Sequence, residues 1–333
     1  EARWTAEAGL QRMQEIEGYE FQGNELTARA YLFAGFSNRW LGETFCHVTY
    51  QSPYEGDTGS ALPKSAAFER GLGHFQDAAS NATQAGRDDI VLAATGGMAQ
   101  LHADLGQWGQ VTQFSEQVPT DFVFNATYHN NTGAEINEFW NETHGRYEMS
   151  AIFTLAGEQD PQDPRAQWTD CRESADCTSE LGADGTYPHL RQEKYSERGS
   201  DIPLVKGTEM RLLEAEAALN EGDLDTAMER INEVRDHYGL AALDATDGIG
   251  SGFTGNRQSM TGWDILDRER HLTLWLEGRR LYDLHRWDHP FLDGGSLIDA
   301  QGYIAEGRRD SCAPISFNEC QTNPNLSGEA CSG

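Results

Sequence analysis

The stretch MRLLEAEAAL at residues 210–219 constrains the fold more than any other part of the chain. It is built from strong helix formers and holds no β-branched residue, proline or glycine, so a helix is its low-cost conformation. Gly222 follows as a stop, because glycine takes the left-handed conformation that closes a helix. Asp223 then offers a carboxylate to cap the next helix. Beyond it Leu224, Ala227, Met228, Ile231 and Val234 recur at three- and four-residue spacing, and Gly239 ends the run. That spacing gathers one apolar stripe along a helix. With only Asn220, Glu221 and Gly222 between them, the two helices return antiparallel as a hairpin.

The hairpin spans about 34 residues and carries small Ala side chains where its helices approach, which fits a tetratricopeptide-like unit. A weaker copy lies at 90–105, with Ala94, Met98, Leu101 and Leu105 on one face. It turns through Gly106, Gln107, Trp108 and Gly109 into a second helix over 111–118. A third pair is expected at 25–41 and 64–79, and a further helix at 4–16. Helical hairpins that recur stack on one another. The sequence therefore predicts a mainly all-α fold with stacked hairpins and long irregular loops. One domain is expected over 1–333: helical pairs over 1–118, a loop-rich insertion over 119–205, a hairpin plus a long helix over 206–290, and a disulfide-stapled tail over 291–333. Residues 240–262, rich in Gly, Asp and Ser, form a second loop region. Long loops on a helical scaffold are where function is sought.

The chain carries 54 acidic and 25 basic residues, a formal net charge of −29. A small soluble domain needs a charge of only about 2–8 units. Such a surface repels nucleic-acid phosphates and anionic lipid alike, so no nucleic-acid partner is expected. Neutral glycans and cations are compatible with it. The six cysteines are Cys46, Cys171, Cys177, Cys312, Cys320 and Cys331. Their even number predicts disulfides in an oxidising compartment, and the lack of a CxxC pair removes a zinc ribbon or thioredoxin-type site. Proximity favours Cys171 with Cys177 and Cys320 with Cys331, leaving Cys46 for Cys312, one of several connectivities open to six cysteines. No run of about 20 apolar residues spans a bilayer. Neither a signal peptide nor a lipid-attachment cysteine opens the sequence, and any export signal is expected upstream.

Three passages resemble a known family. The first is TEMRLLEAEAALNEGDLDTAMERINEVR at 208–235. The second, ILDRERHLTLWLEGRRLYDLHRW at 265–287, carries Glu269-Arg270, Glu277-Gly278-Arg279 and Asp283-Leu284-His285-Arg286-Trp287. The third is APISFNECQTNPNLS at 313–327, with its Pro-Ile and Asn-Pro-Asn-Leu elements. Together and in this order they are similar to the SusD/RagB family of outer-membrane nutrient-uptake proteins. The resemblance implies a tetratricopeptide-like scaffold with an irregular, loop-rich face. It also implies a surface lipoprotein that captures glycans or peptides over a TonB-dependent transporter barrel. The 265–287 passage also has a plain physical account: Leu272, Trp275 and Leu276 as a core stripe, with Arg270, Arg279, Arg280 and Arg286 pairing with Glu269, Glu277 and Asp283 at helical spacing.

No nucleophile elbow, phosphate loop, dinucleotide fingerprint or HExxH helix is present, and no enzyme activity is expected. His285 and His289 sit four apart beside Asp283 and Asp288, a spacing that would suit a metal on one helix face, but Pro290 favours a structural role. Asp244 and Asp247 supply oxygens for incidental calcium without EF-hand spacing; no cofactor is expected. Sugar rings are bound by flat aromatic faces with polar groups around them. Trp140, Trp168, Tyr187 and Trp263 lie in or beside the loop-rich regions and are the candidates, with Arg191 for polar contacts. Sequons at Asn81, Asn125, Asn130, Asn141 and Asn325 are candidate glycosylation acceptors. A glycan-capture module is the leading expectation. The alternatives are a self-assembling, glycosylated extracellular fibre or coat subunit, a homopolymer on the same scaffold, and a glycoside hydrolase.

Overall fold

The computed structural model describes residues 2–50, 59–146, 163–245, 252–253, 261–290, 312–326 and 331. Two compact units divide the chain: residues 1–119 with 310–333, and residues 120–309. The boundary at 119/120 falls where helical pairs give way to the loop-rich segment.

The first unit holds α1 (Ala2–Glu15), α2 (Glu25–Thr44), α3 (Lys64–Gln84), α4 (Asp88–Asp104) and α5 (Trp108–Ser115), with a short ladder of β1 (His47–Val48) and β2 (Leu62–Pro63) between α2 and α3. The α2/α3 and α4/α5 pairs are the hairpins expected from periodicity, and α3 packs on α4 to stack them. Glu7 ties α1 down: its carboxylate accepts from Arg70 at 2.7 and 2.8 Å and from Asn38 at 3.0 Å. Glycines set the helix spacing. Phe75 of α3 is fully buried. A Cβ on Gly35 of α2 would lie 2.6 Å from its ring, and one on Gly97 of α4 would lie 2.5 Å away. Gly97→Ala should therefore overpack this seam and lower stability by about 1–3 kcal/mol. Gly73→Ala, at an exposed α3 position with nothing within 4 Å of the new Cβ, should raise it by about 0.5–1 kcal/mol. Urea unfolding of both variants checks this, and equal effects at the two sites would refute the close-approach account.

The C-terminal segment belongs to the same unit. Cys46 and Cys312 form a disulfide across a separation of 266 residues, and Cys320 pairs with Cys331. Beside the first bond, Cys46 N–H donates to the Ala313 carbonyl at 2.9 Å and Ala313 N–H to that of Thr44 at 2.7 Å. A short helix at Phe317–Thr322 follows, capped by Ser316, whose hydroxyl accepts the Glu319 amide at 3.2 Å. Ile315 and Leu326 pack with Ala61 into a small apolar cluster.

The second unit holds β3 (Val123–Ala126), α6 (Glu138–Trp140), a π-helical turn (Asn141–Gly145), β4 (Trp168–Asp170), β5 (Leu190–Gln192), β6 (Ile202–Lys206), α7 (Gly207–Glu221), α8 (Leu224–His237), α9 (Gly262–Thr273) and α10 (Arg280–Arg286). β3 pairs antiparallel with β6 through a register shift at Phe124/Asn125, and β4 pairs antiparallel with β5. The third disulfide, Cys171–Cys177, closes a short loop after β4. Two of the three bonds follow the pairing favoured by sequence proximity, and Cys46–Cys312 is the pair that remains. The α7/α8 hairpin is as expected. Gly222 caps α7 at φ 82°, and the Asp223 carboxylate accepts the Thr226 amide at 3.0 Å. Leu212, Ala215 and Leu219 of α7, Ala227, Ile231 and Val234 of α8, and Ile265 and Leu266 of α9 share one core.

The long helix expected after the hairpin within 206–290 is corrected. It breaks after Thr273, with left-handed backbone at Leu276 (φ 59°) and Gly278 (φ 74°), and resumes as α10. A left-handed conformation at a non-glycine residue costs about 1–2 kcal/mol. Two lysines offset it by satisfying the carbonyls freed at the break. Lys206 Nζ donates to Thr273 O at 2.6 Å and to Glu277 Oε1 at 2.7 Å. Lys194 Nζ donates to Trp275 O and to the same Glu277 oxygen, both at 2.6 Å. Burial opposes charge on Glu277, but the two ammonium groups hold its carboxyl below the usual range.

The expected local pairing of this motif is corrected as well. Its charged groups are mostly buried, and they join elements distant in sequence. Asp283 accepts from Arg270 at 3.0 and 3.1 Å and from Arg286 at 2.9 and 3.1 Å. Arg286 reaches Glu216 of α7 at 2.6 Å, and the Trp287 indole N–H donates to Glu216 at 2.6 Å. Glu269 accepts from Arg165 and Arg235, Arg279 lies 3.3 Å from Glu209, and Arg280 pairs with Asp267. The Arg286–Asp283 pair, three residues apart, is the part of the expected spacing that survives. Leu272 and Trp275 are buried in one cluster with Leu276 against it, as the core stripe required.

Candidate functional site

Asn137 organises a small surface in the second unit. It is fully buried. Its Oδ1 accepts the Trp140 amide at 3.2 Å, which caps the short α6 turn. Its Nδ2 donates to the Ser200 carbonyl at 2.7 Å, and its backbone N–H donates to the Arg198 carbonyl at 2.8 Å. One amide side chain thus fixes both the Trp140 turn and the 198–200 turn. As a result the exposed Arg198 guanidinium lies over the Trp140 indole, 5.3 Å from its ring centre. His144, within the π-helical turn, stacks on the same indole at 5.8 Å and 10° between planes.

The surface continues onto β5. His144 Nε2 comes within 3.9 Å of Glu193, and Glu193 accepts from Arg191 Nε at 3.0 Å. Arg191 also donates to the Asp176 carbonyl at 3.2 Å, inside the loop closed by Cys171–Cys177. Burial works against charge on Glu193, but contacts with His144, Thr169 and Arg191 outweigh it and hold the carboxyl at about 2. Burial pushes the His189 imidazole down, with Arg191 and His144 adding to the effect. The arrangement joins an aromatic side chain to the guanidiniums of Arg198 and Arg191, the Glu193 carboxylate and the His144 imidazole. It suits recognition of a polar ring by stacking and hydrogen bonding.

Of the predicted residues, Trp140 and Arg191 share this surface. Tyr187 sits at the tip of the same β-ribbon, its amide donating to Asp184 at 3.2 Å and its carbonyl accepting Gly182 N–H at 2.9 Å. Trp168 is directly opposite Gln192 in the ladder. The two-residue strand period gives it the face of the buried Leu190 and Gln192, not that of Arg191. There it packs against the cluster of Ala166, Leu190, Leu272 and Trp275. Trp263, near the start of α9, packs on the α7/α8 core and against Phe253 at 5.0 Å, and is not brought to Trp140. Sequence reasoning missed Asn137, His144 and Arg198. The available signal was an Asn immediately before Glu138-Phe139-Trp140, the position of a helix cap.

The sequons divide by exposure. Asn81 is corrected: it is buried in α3, donating to the Asp77 carbonyl at 2.9 Å and accepting Gly23 N–H at 2.9 Å, so its amide is not an accessible acceptor. Asn125 is half-buried in β3, Asn130 and Asn325 are exposed, and Asn141 donates to Glu138 at 3.0 Å. His285 and His289 do not share a helix face, because α10 ends at Arg286; His289 is buried 3.8 Å from Asp267. Asp247 lies outside the described residues. Among the described residues, no helix is long and apolar enough to cross a membrane.

Residues 187–328 match the family model of the SusD family. No curated protein sequence matches the chain. Solved structures do. A surface glycan-binding protein A from Bacteroides uniformis is similar at TM-score 0.68 and 15% identity, over 99% of this chain and 83% of the other. A laminarin-binding SusD-like protein gives 0.65 and 16%, over 96% and 81%. A SusD-like carbohydrate-binding protein from Bacteroides fragilis gives 0.65 and 14%, over 98% and 84%. At these identities the likeness establishes the helical scaffold.

Proposed function

We propose that this chain, which belongs to the SusD/RagB family, is an exported cell-surface protein that captures a glycan on the Trp140 surface and delivers it to a TonB-dependent transporter. The observation that carries this reading is the Trp140–Arg198–His144 assembly, built by the buried Asn137 and continued by Glu193 and Arg191. An indole with polar groups packed about it offers both partners a pyranose seeks, apolar surface for its C–H groups and hydrogen-bonding groups for its hydroxyls. The glycan-binding and laminarin-binding proteins that share the fold support a carbohydrate ligand. Binding without catalysis fits them as well.

A glycan array tests this, followed by calorimetry on the best ligand. Trp140→Ala should weaken binding at least about tenfold, as loss of a central aromatic anchor does. Trp263→Phe, altered on the helical core, should leave affinity unchanged. Unchanged affinity in Trp140→Ala would move the site elsewhere. Electron microscopy of the same material tests the fibre alternative: dispersed particles fit capture, and filaments with a regular repeat would displace it.

A further inference from the structure

The acidic character of the chain makes one cation stand out. With 54 carboxylates to 25 basic groups, a cation has abundant partners, and the buried arginines of this unit are each held by at least one. Arg198 is different. It is exposed, it lies over Trp140, and among the described residues no carboxylate pairs with it. Several nearby acids are engaged elsewhere, and exposed Glu197, the chain neighbour of Arg198, forms no ion pair with it among the described residues. Asp201, three residues on, accepts the Tyr128 amide at 3.0 Å. Glu138 accepts from Asn141 at 3.0 Å, Glu142 pairs with Arg146 at 2.9 Å, and Glu193 pairs with Arg191 at 2.9 Å. Asn137, with no exposed surface, fixes the backbone that carries this guanidinium. A cation held on a built support, placed over an indole and left among the described residues without a paired carboxylate, is positioned to meet an anion attached to a ring.

Resting on the glycan reading, we propose that the ligand is an acidic glycan whose uronate carboxylate accepts hydrogen bonds from Arg198 while its sugar ring packs against Trp140. A guanidinium presents two parallel N–H donors that match a carboxylate, and charge-assisted bonds of this kind are stronger than neutral ones. The chain's net charge opposes approach of a polyanion, but that field is screened beyond about 8 Å at physiological salt. Contact with one guanidinium then decides the preference.

The test is calorimetry at physiological ionic strength. Probes are oligomers of galacturonate, glucuronate and mannuronate, each beside its carboxyl-reduced neutral counterpart. One uronate should bind about tenfold or more tightly than its reduced counterpart, the scale of a charge-assisted bond. Arg198→Gln should erase that preference, so that the uronate and its reduced counterpart bind alike. Trp140→Ala should lose both. Equal affinities for acid and reduced forms, or a preference that survives in Arg198→Gln, overturn the uronate assignment; if Trp140→Ala still weakens both, glycan capture stands. Binding of neither set, or binding indifferent to Trp140, overturns both readings.

Discussion

Asp283→Asn should destabilise the second unit by about 3–5 kcal/mol, a large fraction of the stability of a typical domain. Asp283 is buried and holds two arginines, Arg270 and Arg286, each through two hydrogen bonds. Asparagine keeps the shape but removes the charge, leaving buried guanidiniums under-compensated. Arg286 would retain Glu216, but Arg270 would keep no closer carboxylate than Glu209 at 3.8 Å. The effect is pH-dependent with a defined sign. Burial disfavours the Asp283 carboxylate, but Arg270, Arg286 and Arg279 outweigh it and hold the group well below the usual carboxylate range. A depressed folded-state value adds stability that is complete above about pH 4, the unfolded value, and is lost as pH falls toward the folded value. The gap between wild type and Asp283→Asn should be constant near neutrality and narrow in acid. Urea unfolding across that range measures it. A gap under about 1 kcal/mol at pH 7 would show that the network is not a stabilising lock.

The second large effect concerns the first unit. Replacing Cys46 and Cys312 together by alanine should lower its stability by about 2–5 kcal/mol. The bond closes 266 residues of chain, whereas Cys171–Cys177 and Cys320–Cys331 close 6 and 11. Loop-closure entropy grows with the length closed, so the long bond constrains the unfolded chain most. It also secures the backbone pairing of Cys46 with Ala313. Limited proteolysis should release the segment containing Ile315 and Leu326 early in the double variant and late in wild type. Equal release times would assign the docking of that segment to its apolar cluster rather than to the disulfide.

Much of the fold follows from the sequence because its determinants are short-range. The stripe from Leu224 to Val234, the Gly222 stop and the Asp223 cap act within one or two helical turns, and α7/α8 follow from them. The disulfide pairing was legible for a related reason: two pairs are close in sequence, and the third is the remainder. Trp140 and Arg191 were legible as an aromatic and a cation in loop-rich chain.

Other features required the tertiary structure. Whether Trp168 faces the core or Arg191's surface depends on strand register, and one residue of slip would reverse it. Arg198 meets Trp140 because Asn137 joins turns 63 residues apart, a contact with no local signature. The 265–287 passage contains the charges but not their partners: Glu269 finds Arg165 across 104 residues, and Glu277 finds Lys194 across 83. Helical periodicity alone favoured one continuous helix there. The buried lysines decide otherwise, because carbonyls satisfied by ammonium groups allow the chain to turn at Leu276 and Gly278. The sequence by itself determined the helices, the staples and the class of scaffold, since these rest on spacing within a few residues. The tertiary structure alone decided which polar groups are buried together and which cation is left exposed over an indole, since that depends on the register of segments far apart in the chain.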